Sequence, residues 1–209
     1  MLEKIILIGD SGHAKVIEDC ILSQGSSLIA KLDDRYKEKF YEEHLIKGPI
    51  ALIEDILTDG VKVVVSIGSN PLRKSIVDRL SIANEKYATI IHSRAIVCST
   101  VKVGNGTVIM PGVVVNADAS IGCHTIINSS SVVEHDCVVE DFTHISPGVI
   151  LTGNVKVGQG SHVGAGSNII PGVNIGSWAT VGAGSTVISN VESNVTVVGV
   201  PSRVIKREG

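Results

Sequence analysis

One aliphatic position recurs every six residues along the C-terminal part of the chain, without a break in phase. Each of these positions is Ile, Val or Leu: Ile91, Val97, Val103, Ile109, Val115, Ile121, Ile127, Val133, Val139, Ile145, Leu151, Val157, Val163, Ile169, Ile175, Val181 and Val187. Glycine often follows directly, as in Val103-Gly104 and Val157-Gly158. Such a repeat is typical of a parallel β-helix, in which each short strand turns one aliphatic side chain inward and a small residue serves the turn.

Three of these hexads make one triangular coil of about 18 residues. The repeats over residues 91 to 190 therefore predict about five to six coils of a left-handed prism. Residues 18 apart are expected to stack on one face, and residues 9 apart to lie on roughly opposite sides of a coil. Because each coil buries its aliphatic side chains only against its neighbours, the ends need caps. We expect residues 200–205 to leave the prism and cover its last coil.

The part of the chain before these repeats follows a different pattern, in which aliphatic strands alternate with helices. Strands are predicted over 4–8, 28–32 and 61–67, and helices over 14–23 and 71–83. This order indicates a small parallel α/β sheet. The sequence thus predicts two domains: a Rossmann-like domain over residues 1–85, and a β-helix with a C-terminal cap over residues 86–209.

Three polar loops follow the strands of the α/β domain. They are Gly9-Asp10-Ser11-Gly12-His13, Asp33-Asp34-Arg35 and Gly68-Ser69-Asn70. Ligands of parallel sheets bind at the carboxyl ends of the strands, so the loops are expected to converge on one pocket.

The first loop resembles G-x-G-x-x-G, but Ser11 and Ala14 replace the second and third glycines. A nucleotide diphosphate at the helix N-terminus therefore fits better than a dinucleotide. A tight turn without a ligand is the alternative. Asp33 and Asp34 either end a strand or accept hydrogen bonds from a base or ribose.

Composition excludes several classes of function. The net charge of −3 and the lack of a basic stripe argue against nucleic-acid binding. No uncharged apolar stretch approaches the roughly 18 to 20 residues of a membrane span, and the apolar run at the N-terminus is too short for a signal peptide. We therefore expect a cytoplasmic protein. Four cysteines without C-x-x-C spacing predict reduced thiols rather than disulfides or a zinc site.

Glu134-His135-Asp136 places a histidine between two carboxylates. His135 comes two residues after the inward Val133, so its side chain should face outward or lie at a turn. On spacing alone it is either a proton acceptor or a solvated turn histidine.

Three histidines are related by the coil spacing. His144 and His162 are 18 apart and should stack on one face. His135 and His144 are 9 apart and should point away from each other. They can share a site only across a subunit interface of a cyclic oligomer. A zinc site is the competing use of these histidines, but no close ligand spacing supports it.

Several motifs together resemble the PglD/NeuD family of bacterial hexapeptide-repeat sugar acetyltransferases over essentially the whole chain. Besides the loops described above, they are Ile67-Gly68-x-Asn70 with Arg73-Lys74, Met110-Pro111, Asn128-x-Ser130-Ser131-Val132, Glu134-His135-Asp136-Cys137, His144, Gly153-Asn154-Val155 and Val198-Gly199-Val200-Pro201. The resemblance implies an acetyl-CoA-dependent enzyme that needs no metal.

The resemblance also implies roles for individual residues. His135 would be the general base, oriented by Asp136 or Glu134; Asp136 stands where the N-acetyltransferases often carry Glu. The residues expected to contact acetyl-CoA are Asn128, His144, Gly153, Gly164, Gly166, Gly182 and Gly184. Those expected in the nucleotide-sugar pocket are Gly9, Ser11, Gly12, His13, Asp33, Asp34, Arg35, Gly68 and Asn70. No covalent acyl-enzyme is required, and nothing marks Cys137 as a nucleophile.

The predicted protein is a homotrimer with active sites at the subunit interfaces. It would N-acetylate the 4-amino group of a UDP-linked deoxy-amino sugar for bacterial glycan synthesis, with one histidine near neutral pKa as the base. The alternative within the family is O-acetylation of a sialic-acid-type sugar. Two further alternatives are a non-catalytic scaffold that binds nucleotide sugars and an acyltransferase that acts on a small amine.

Overall fold

A computed structural model of the protein describes residues 3–207. The first domain contains five strands and three helices: β1 (Lys4–Ile8), α1 (Gly12–Ser23), β2 (Ser27–Leu32), β3 (Phe40–Glu42), β4 (Leu45–Gly48), α2 (Ile53–Ile56), β5 (Val61–Val65) and α3 (Asn70–Leu80). Short 3₁₀ turns cover Ile50–Leu52 and Asn84–Lys86. The three strands and two helices that the sequence predicts are all present, with ends shifted by up to three residues.

The strand order in this sheet is β3-β4-β2-β1-β5. The central strand β1 pairs in parallel with β2 and β5, and β2 pairs in parallel with β4. Residues Ile5 to Ile8 of β1 are fully buried, as expected for a strand covered on both faces. The sequence pattern did not predict β3 and β4, because β3 is short and its side chains are exposed.

The second domain is a β-helix built from strands of two residues. They are β6 (Ile90–Ile91), β7 (Ile96–Val97), β8 (Lys102–Val103), β9 (Val108–Ile109), β10 (Val114–Val115), β11 (Ser120–Ile121), β12 (Ile126–Ile127), β13 (Val132–Val133), β14 (Val138–Val139), β15 (His144–Ile145), β16 (Ile150–Leu151), β17 (Lys156–Val157), β18 (His162–Val163), β19 (Asn168–Ile169), β20 (Asn174–Ile175), β21 (Thr180–Val181) and β22 (Thr186–Val187). The second residue of every strand is a hexad aliphatic, so the predicted phase is confirmed.

These strands form three parallel sheets. The first contains β6, β9, β12, β15, β18 and β21; the second contains β7, β10, β13, β16, β19 and β22; the third contains β8, β11, β14, β17 and β20. Strands pair with their equivalents on the next coil, for example Val115 with Val133 and Ile145 with Val163. The predicted stacking of positions one coil apart is therefore confirmed.

The prism core consists of the inward aliphatic side chains. All hexad residues from Ile109 to Val187 are buried, whereas Ile91, Val97 and Val103 in the first coil are only partly buried. The glycines after the aliphatic positions keep the coils close together. A Cβ atom on Gly104 would lie 2.6 Å from the backbone nitrogen of Cys123 on the next coil.

The chain ends in a hairpin at the edge of the first sheet. β23 (Val195–Gly199) pairs in parallel with β21, and β24 (Ser202–Arg207) returns antiparallel to β23. Val204 and Ile205 are exposed on β24. The expected cap over residues 200–205 is thus an added edge strand, whose backbone is satisfied by pairing, rather than a cover that buries its apolar side chains.

The first domain packs on the outer face of the first sheet. A single hydrophobic cluster joins Ile5 and Ile17 of the α/β domain to Ile90 and Val108 at the start of the prism. The Asn70 side chain also reaches the carbonyl groups of Gly160 and Ser161. This packing buries His144, which would otherwise lie on an open prism face.

Candidate active site

Two of the three polar loops of the α/β domain meet at one cavity, whereas Gly68, Ser69 and Asn70 of the third loop line a separate crevice against the β-helix. Gly9, Asp33 and Asp34 line one cavity of about 270 Å³ together with Ile67 and Arg79. Asp33 joins two of the loops, because its carboxylate accepts the backbone N–H groups of Asp10 (2.9 Å) and Arg35 (3.0 Å). Asp34 forms an ion pair with Arg79 at 2.8 Å, a contact that the sequence did not indicate.

A larger cavity of about 540 Å³ adjoins the first and shares Asp34, Ile50 and Arg79 with it. Its other walls include aliphatic side chains of Ile53 and Leu57. Apolar walls with a few polar groups at one end are typical of sites for flat organic ligands such as nucleotide bases.

A buried carboxylate stabilises the first loop. Asp10 accepts a hydrogen bond from the Tyr36 hydroxyl at 2.6 Å and forms ion pairs with Lys47 at 3.1 Å and Arg35 at 3.2 Å. Burial alone would raise the pKa of Asp10, but the hydrogen bonds from Tyr36 and Lys47 hold it below its usual value. Two buried lysines inside otherwise apolar strands, Lys31 and Lys47, are the feature of the sequence that indicates a buried carboxylate partner. The sequence-based prediction did not include this network.

Ser11 and Gly12 begin α1 and are exposed. Ser11 makes no side-chain capping hydrogen bond, so backbone N–H groups of the first turn remain available to an anion. His13 points toward the β-helix, with its ring centroid 6.1 Å from that of His144. Burial, aided by the charge of Arg73, lowers the pKa of His13 to about 4.

His144 lies beneath the α/β domain and uses both of its ring nitrogens. Nδ1 is 3.2 Å from the Gly68 carbonyl oxygen, and Nε2 is 3.0 Å from Nδ2 of Asn128. Burial, with smaller effects from His162 and Arg73, lowers the pKa of His144 to about 3. His144 is therefore neutral near pH 7, with Nδ1 as its donor and Nε2 as its acceptor.

The predicted stack of His144 on His162 is confirmed: the ring centroids are 5.0 Å apart and the planes differ by 4°. Both histidines line an interdomain crevice of about 510 Å³ together with Gly68, Asn70 and Trp178. Asn70 thus lines this crevice and not the nucleotide-pocket cavities. Its side-chain amide donates to Gly160 and Ser161, so its expected contact with the nucleotide is not supported by its position.

His135 has the opposite environment to His144. Its side chain is 62% exposed, as its spacing from Val133 predicts, and Nδ1 lies 2.8 Å from Oδ2 of Asp136. The hydrogen bond to Asp136 raises the pKa of His135. Glu134 contacts only the backbone N–H of His135, at 3.3 Å. The geometry therefore selects Asp136 as the carboxylate that orients the ring.

Within one chain, His135 and His144 lie on different sides of the prism. His135 follows β13 at the corner between the second and third sheets, whereas His144 is on β15 of the first sheet. The sequence spacing predicted this separation. One chain by itself does not bring the two histidines together.

We predict that Asp136→Asn moves the acidic limb of the pH profile of kcat/KM to lower pH. A base must be neutral to accept a proton, and Asp136 raises the pKa of His135, so activity in the wild type should rise with pH through that raised value. Loss of the carboxylate lowers the pKa of His135 and also loosens the ring, so kcat should fall. Initial rates from pH 5 to 9, followed as release of the CoA product that the family resemblance implies, measure both effects.

Glu134→Gln is the matched control for this prediction, because it removes a neighbouring carboxylate that does not touch the ring. Its acidic limb should stay closer to that of the wild type. An equal or larger shift in Glu134→Gln would mean that Glu134, and not Asp136, governs His135.

Gly153 lies directly against the His135 ring. A Cβ atom at this position would be 2.7 Å from Cε1 and Nε2 of His135. We predict that Gly153→Ala displaces the imidazole and lowers kcat about tenfold or more, with little loss of stability, since the contact is with the end of a flexible side chain. Turnover and thermal unfolding of the same preparation test this.

Gly164→Ala, in contrast, should lower the stability of the protein strongly. Its Cβ atom would lie 2.6 Å from the backbone nitrogen of Ala183, where neither coil can give way. The role assigned to Gly153 is wrong if Gly153→Ala retains full turnover, or if it loses as much stability as Gly164→Ala.

The other glycines expected at acetyl-CoA are of two kinds. At Gly164 and Gly182 a Cβ atom would clash with residues of the next turn of the chain. Close packing of the coils is therefore enough to explain why glycine occupies these two positions. Gly166 and Gly184 have positive φ (67° and 68°) and open space beside them. Only the second pair offers bare backbone to a ligand.

Cys137 is buried, and its thiol donates to the Thr152 carbonyl at 3.2 Å. Burial raises the pKa of this thiol, which disfavours the thiolate needed by a nucleophile. Among residues 3–207, no group of three or more His, Cys, Asp or Glu side chains is arranged to hold a metal ion. No helix in the described part of the chain is long and apolar enough to cross a membrane.

The structure thus combines a Rossmann-like domain, a β-helix of six-residue repeats and an exposed His–Asp pair at a corner of the prism. Residues 4–80 match the family model described as the PglD N-terminal domain. The chain is 39% identical over 112 residues to a UDP-N-acetylbacillosamine N-acetyltransferase of Bacillus subtilis (strain 168). That alignment spans 52% of this chain and 52% of the Bacillus protein, about half of each.

Two solved structures match nearly the whole chain. One is a variant of GDP-perosamine N-acetyl transferase from Caulobacter crescentus in complex with CoA and GDP-perosamine, with 31% identity, 97% coverage of both chains and a TM-score of 0.89. The other is the acetyltransferase domain of PglB from Neisseria gonorrhoeae with acetyl coenzyme A, with 28% identity, 98% coverage of this chain, 100% of that chain and a TM-score of 0.89. This protein belongs to the PglD-like family of hexapeptide-repeat sugar acetyltransferases. The predicted family and fold class are both confirmed.

Proposed function

We propose that this protein transfers the acetyl group of acetyl-CoA to the 4-amino group of a UDP-linked deoxy-amino sugar in bacterial glycan synthesis. The observation that carries the proposal is the exposed His135–Asp136 pair on a chain that also holds a nucleotide-sized pocket. The family supplies the acetyl donor: the Neisseria domain is solved with acetyl coenzyme A and the Caulobacter enzyme with CoA. We place the reaction in the cytoplasm, where acetyl-CoA and nucleotide sugars are made.

His135 acts as the general base in this proposal. Asp136 accepts a hydrogen bond from Nδ1–H of His135, which leaves Nε2 of the ring as the proton acceptor. As the sugar amine attacks the thioester carbonyl, Nε2 takes one proton from the amine nitrogen. A C–N bond forms, the C–S bond breaks, and CoA leaves as a thiolate that recovers a proton. The products are an amide and free CoA, without a covalent acyl-enzyme.

The nucleotide pocket lies in the α/β domain. Asp34 and the aliphatic walls beside it would hold the base, and the first turn of α1 would hold the diphosphate through its free N–H groups. The resemblance assigns Gly9, Ser11, Gly12, His13, Asp33 and Arg35 to the same ligand. Arg35 is half-exposed beside Asp10, from where it can reach a phosphate.

We propose that the site is completed in a homotrimer. The outward residues of the second sheet form a continuous apolar row of Ile96, Val114, Val132 and Ile150, here named the apolar row. Ile96 is 68% exposed in the single chain, and the row runs beside the corner that holds His135. Packing this row against a second copy would cover it and bring His135 toward the partner's first sheet.

Acetyl-CoA would then lie in the cleft between protomers. The backbone at Gly166 and Gly184 is open to its pantetheine arm. Asn128 lies at the same corner of the prism, between the first and second sheets. Gly153, by contrast, serves the His135 ring rather than the cofactor in this arrangement.

Release of CoA with different acceptors tests the proposed reaction. Purified protein is incubated with acetyl-CoA and either a UDP-linked or a GDP-linked 4-amino-4,6-dideoxy sugar, and free thiol is followed. Preference for the UDP sugar supports the proposal, whereas preference for the GDP sugar changes the nucleotide but keeps N-acetylation. Turnover of a sialic acid alone would move the protein to O-acetylation, and no turnover with any acceptor would favour a non-catalytic binding protein.

A further inference from the structure

Arg73 is a buried cation between the two domains. It lies in the first turns of α3 and is 1% exposed. Its hydrogen bonds go to neutral oxygens on both sides of the junction. Nε donates to the His124 carbonyl, Nη1 to the carbonyls of Ile67 and Gly68, and Nη2 to the carbonyls of Phe142 and Thr143 and to Oδ1 of Asn70.

Asn70 and Arg73 together follow the stacking of the prism. The carbonyls that they contact belong to His124, Phe142 and Gly160, which occupy the same corner of three successive coils. One turn of an α-helix rises about 5.4 Å, close to the roughly 4.8 Å between neighbouring strands. Residues one turn apart on α3 therefore reach successive coils. We name this pair the α3 clasp.

The α3 clasp supplies hydrogen-bond donors to carbonyl groups that the domain contact shields from water. Turn carbonyls at a prism corner normally bond to water, and the α/β domain excludes it. Arg73 and Asn70 supply the missing donors. Burial lowers the pKa of Arg73 to about 9, which reflects how unfavourable a desolvated guanidinium is. An apolar contact would avoid that cost but would not fix the orientation of the two domains.

The clasp also reaches the histidines through the Gly68 loop. Arg73 donates hydrogen bonds to the carbonyls of Ile67 and Gly68. The Gly68 carbonyl in turn accepts a hydrogen bond from Nδ1–H of His144. The other nitrogen of His144, Nε2, then accepts a hydrogen bond from the Asn128 side-chain amide. A rigid Gly68 loop thus selects the tautomer of His144 and, through it, the orientation of the Asn128 amide.

We propose that Arg73 is a positioning residue, which fixes the Gly68 loop, and with it the α/β domain, against the His144–Asn128 pair so that acceptor and prism meet in one geometry. The proposal rests on the proposed acetyltransferase function. Arg73 itself does not line either of the two cavities proposed to hold the nucleotide.

Arg73→Lys and Arg73→Met test this, with Lys62→Met as the control because Lys62 is a partly exposed lysine of the same domain. Lysine keeps the charge but cannot serve carbonyls on both domains at once, and methionine keeps the volume only. We expect kcat to fall about 10- to 100-fold in both Arg73 variants. The dissociation constant for UDP and the KM for acetyl-CoA should stay within about twofold of the wild type.

A second measurement does not depend on turnover. Nitrogen-15 correlation spectra of the histidine side chains should show His144 as a neutral Nδ1–H tautomer in the wild type and in Lys62→Met. In Arg73→Lys the same signal should change toward a mixture of tautomers. This readout stands even if no sugar is acetylated, so failure of the proposed function and failure of this proposal are separable.

Two results would overturn the positioning role. One is an Arg73→Lys protein that unfolds at a lower temperature but keeps its kcat and its His144 tautomer, which would make Arg73 purely structural. The other is a loss of UDP affinity as large as the loss in kcat/KM, which would place Arg73 in nucleotide binding. If Arg73→Met does not fold, Arg73→Lys alone decides between these outcomes.

Discussion

His135→Ala is expected to lower kcat by about 10²- to 10⁴-fold, the range typical of losing a general base. His135 is exposed, held by Asp136 and free at Nε2, whereas burial keeps His13 and His144 neutral, and both ring nitrogens of His144 are occupied. No second histidine on the described chain combines exposure with a carboxylate on its ring. The KM for acetyl-CoA should change little, because in the proposed reaction His135 contacts the reacting amine and not the cofactor.

The measurement is CoA release by wild type, His135→Ala and His44→Ala under saturating substrates. His44 is also exposed, but it lies in the β3–β4 turn, far along the chain from the prism. Its replacement should leave kcat unchanged. The residual activity of His135→Ala should rise with pH, as the sugar amine loses its proton to solvent. Full activity in His135→Ala would remove the proposed base.

Ile150→Glu is expected to convert the proposed trimer to monomers and to lower turnover roughly a hundredfold or more. A carboxylate in the apolar row would be buried against the partner without a cation, which is strongly unfavourable. Because His135 and His144 lie on different sides of one prism, a monomer would not assemble the proposed interface site. Light scattering should find three times the chain mass of 21.9 kDa for the wild type and a single chain mass for the variant.

Ile205→Glu is the matched control for this change. Ile205 is 64% exposed on β24, outside the apolar row, so its replacement should leave both mass and turnover unchanged. An active monomeric Ile150→Glu protein would refute the interface site. A wild-type monomer would refute the trimer itself and leave the apolar row for another partner.

The repeating part of the fold could be predicted from the sequence because its order is local. Each hexad places one aliphatic side chain inward, and identical coils stack in register, so a single period determines both the strand positions and which strands become neighbours. The exposure of His135, its separation from His144 and the stack of His144 on His162 followed from the same rule. The meeting of the first two loops at one cavity followed from the parallel order of the strands, whereas the Gly68 loop lies at the interdomain crevice.

The environments of individual side chains around His135 depended on contacts that the six-residue spacing does not specify. The sequence left Glu134 and Asp136 equivalent beside His135, and only rotamer geometry selects Asp136. In the sequence nothing distinguishes Gly153 from the other turn glycines, and only the structure shows that the His135 ring packs against it.

By itself, the sequence determined the two-domain architecture, the phase of the β-helix, the loops at the pocket and the outward position of His135, because each depends on spacing along the chain. The tertiary structure alone decided that His144 is buried and neutral, that Asn70 joins the domains instead of the nucleotide pocket, and that Arg73 and Asn70 bridge three coils. These facts depend on which prism face the α/β domain covers. That choice is made by contacts between residues far apart along the chain, such as Asn70 with Gly160 and Arg73 with His124, which no local period encodes.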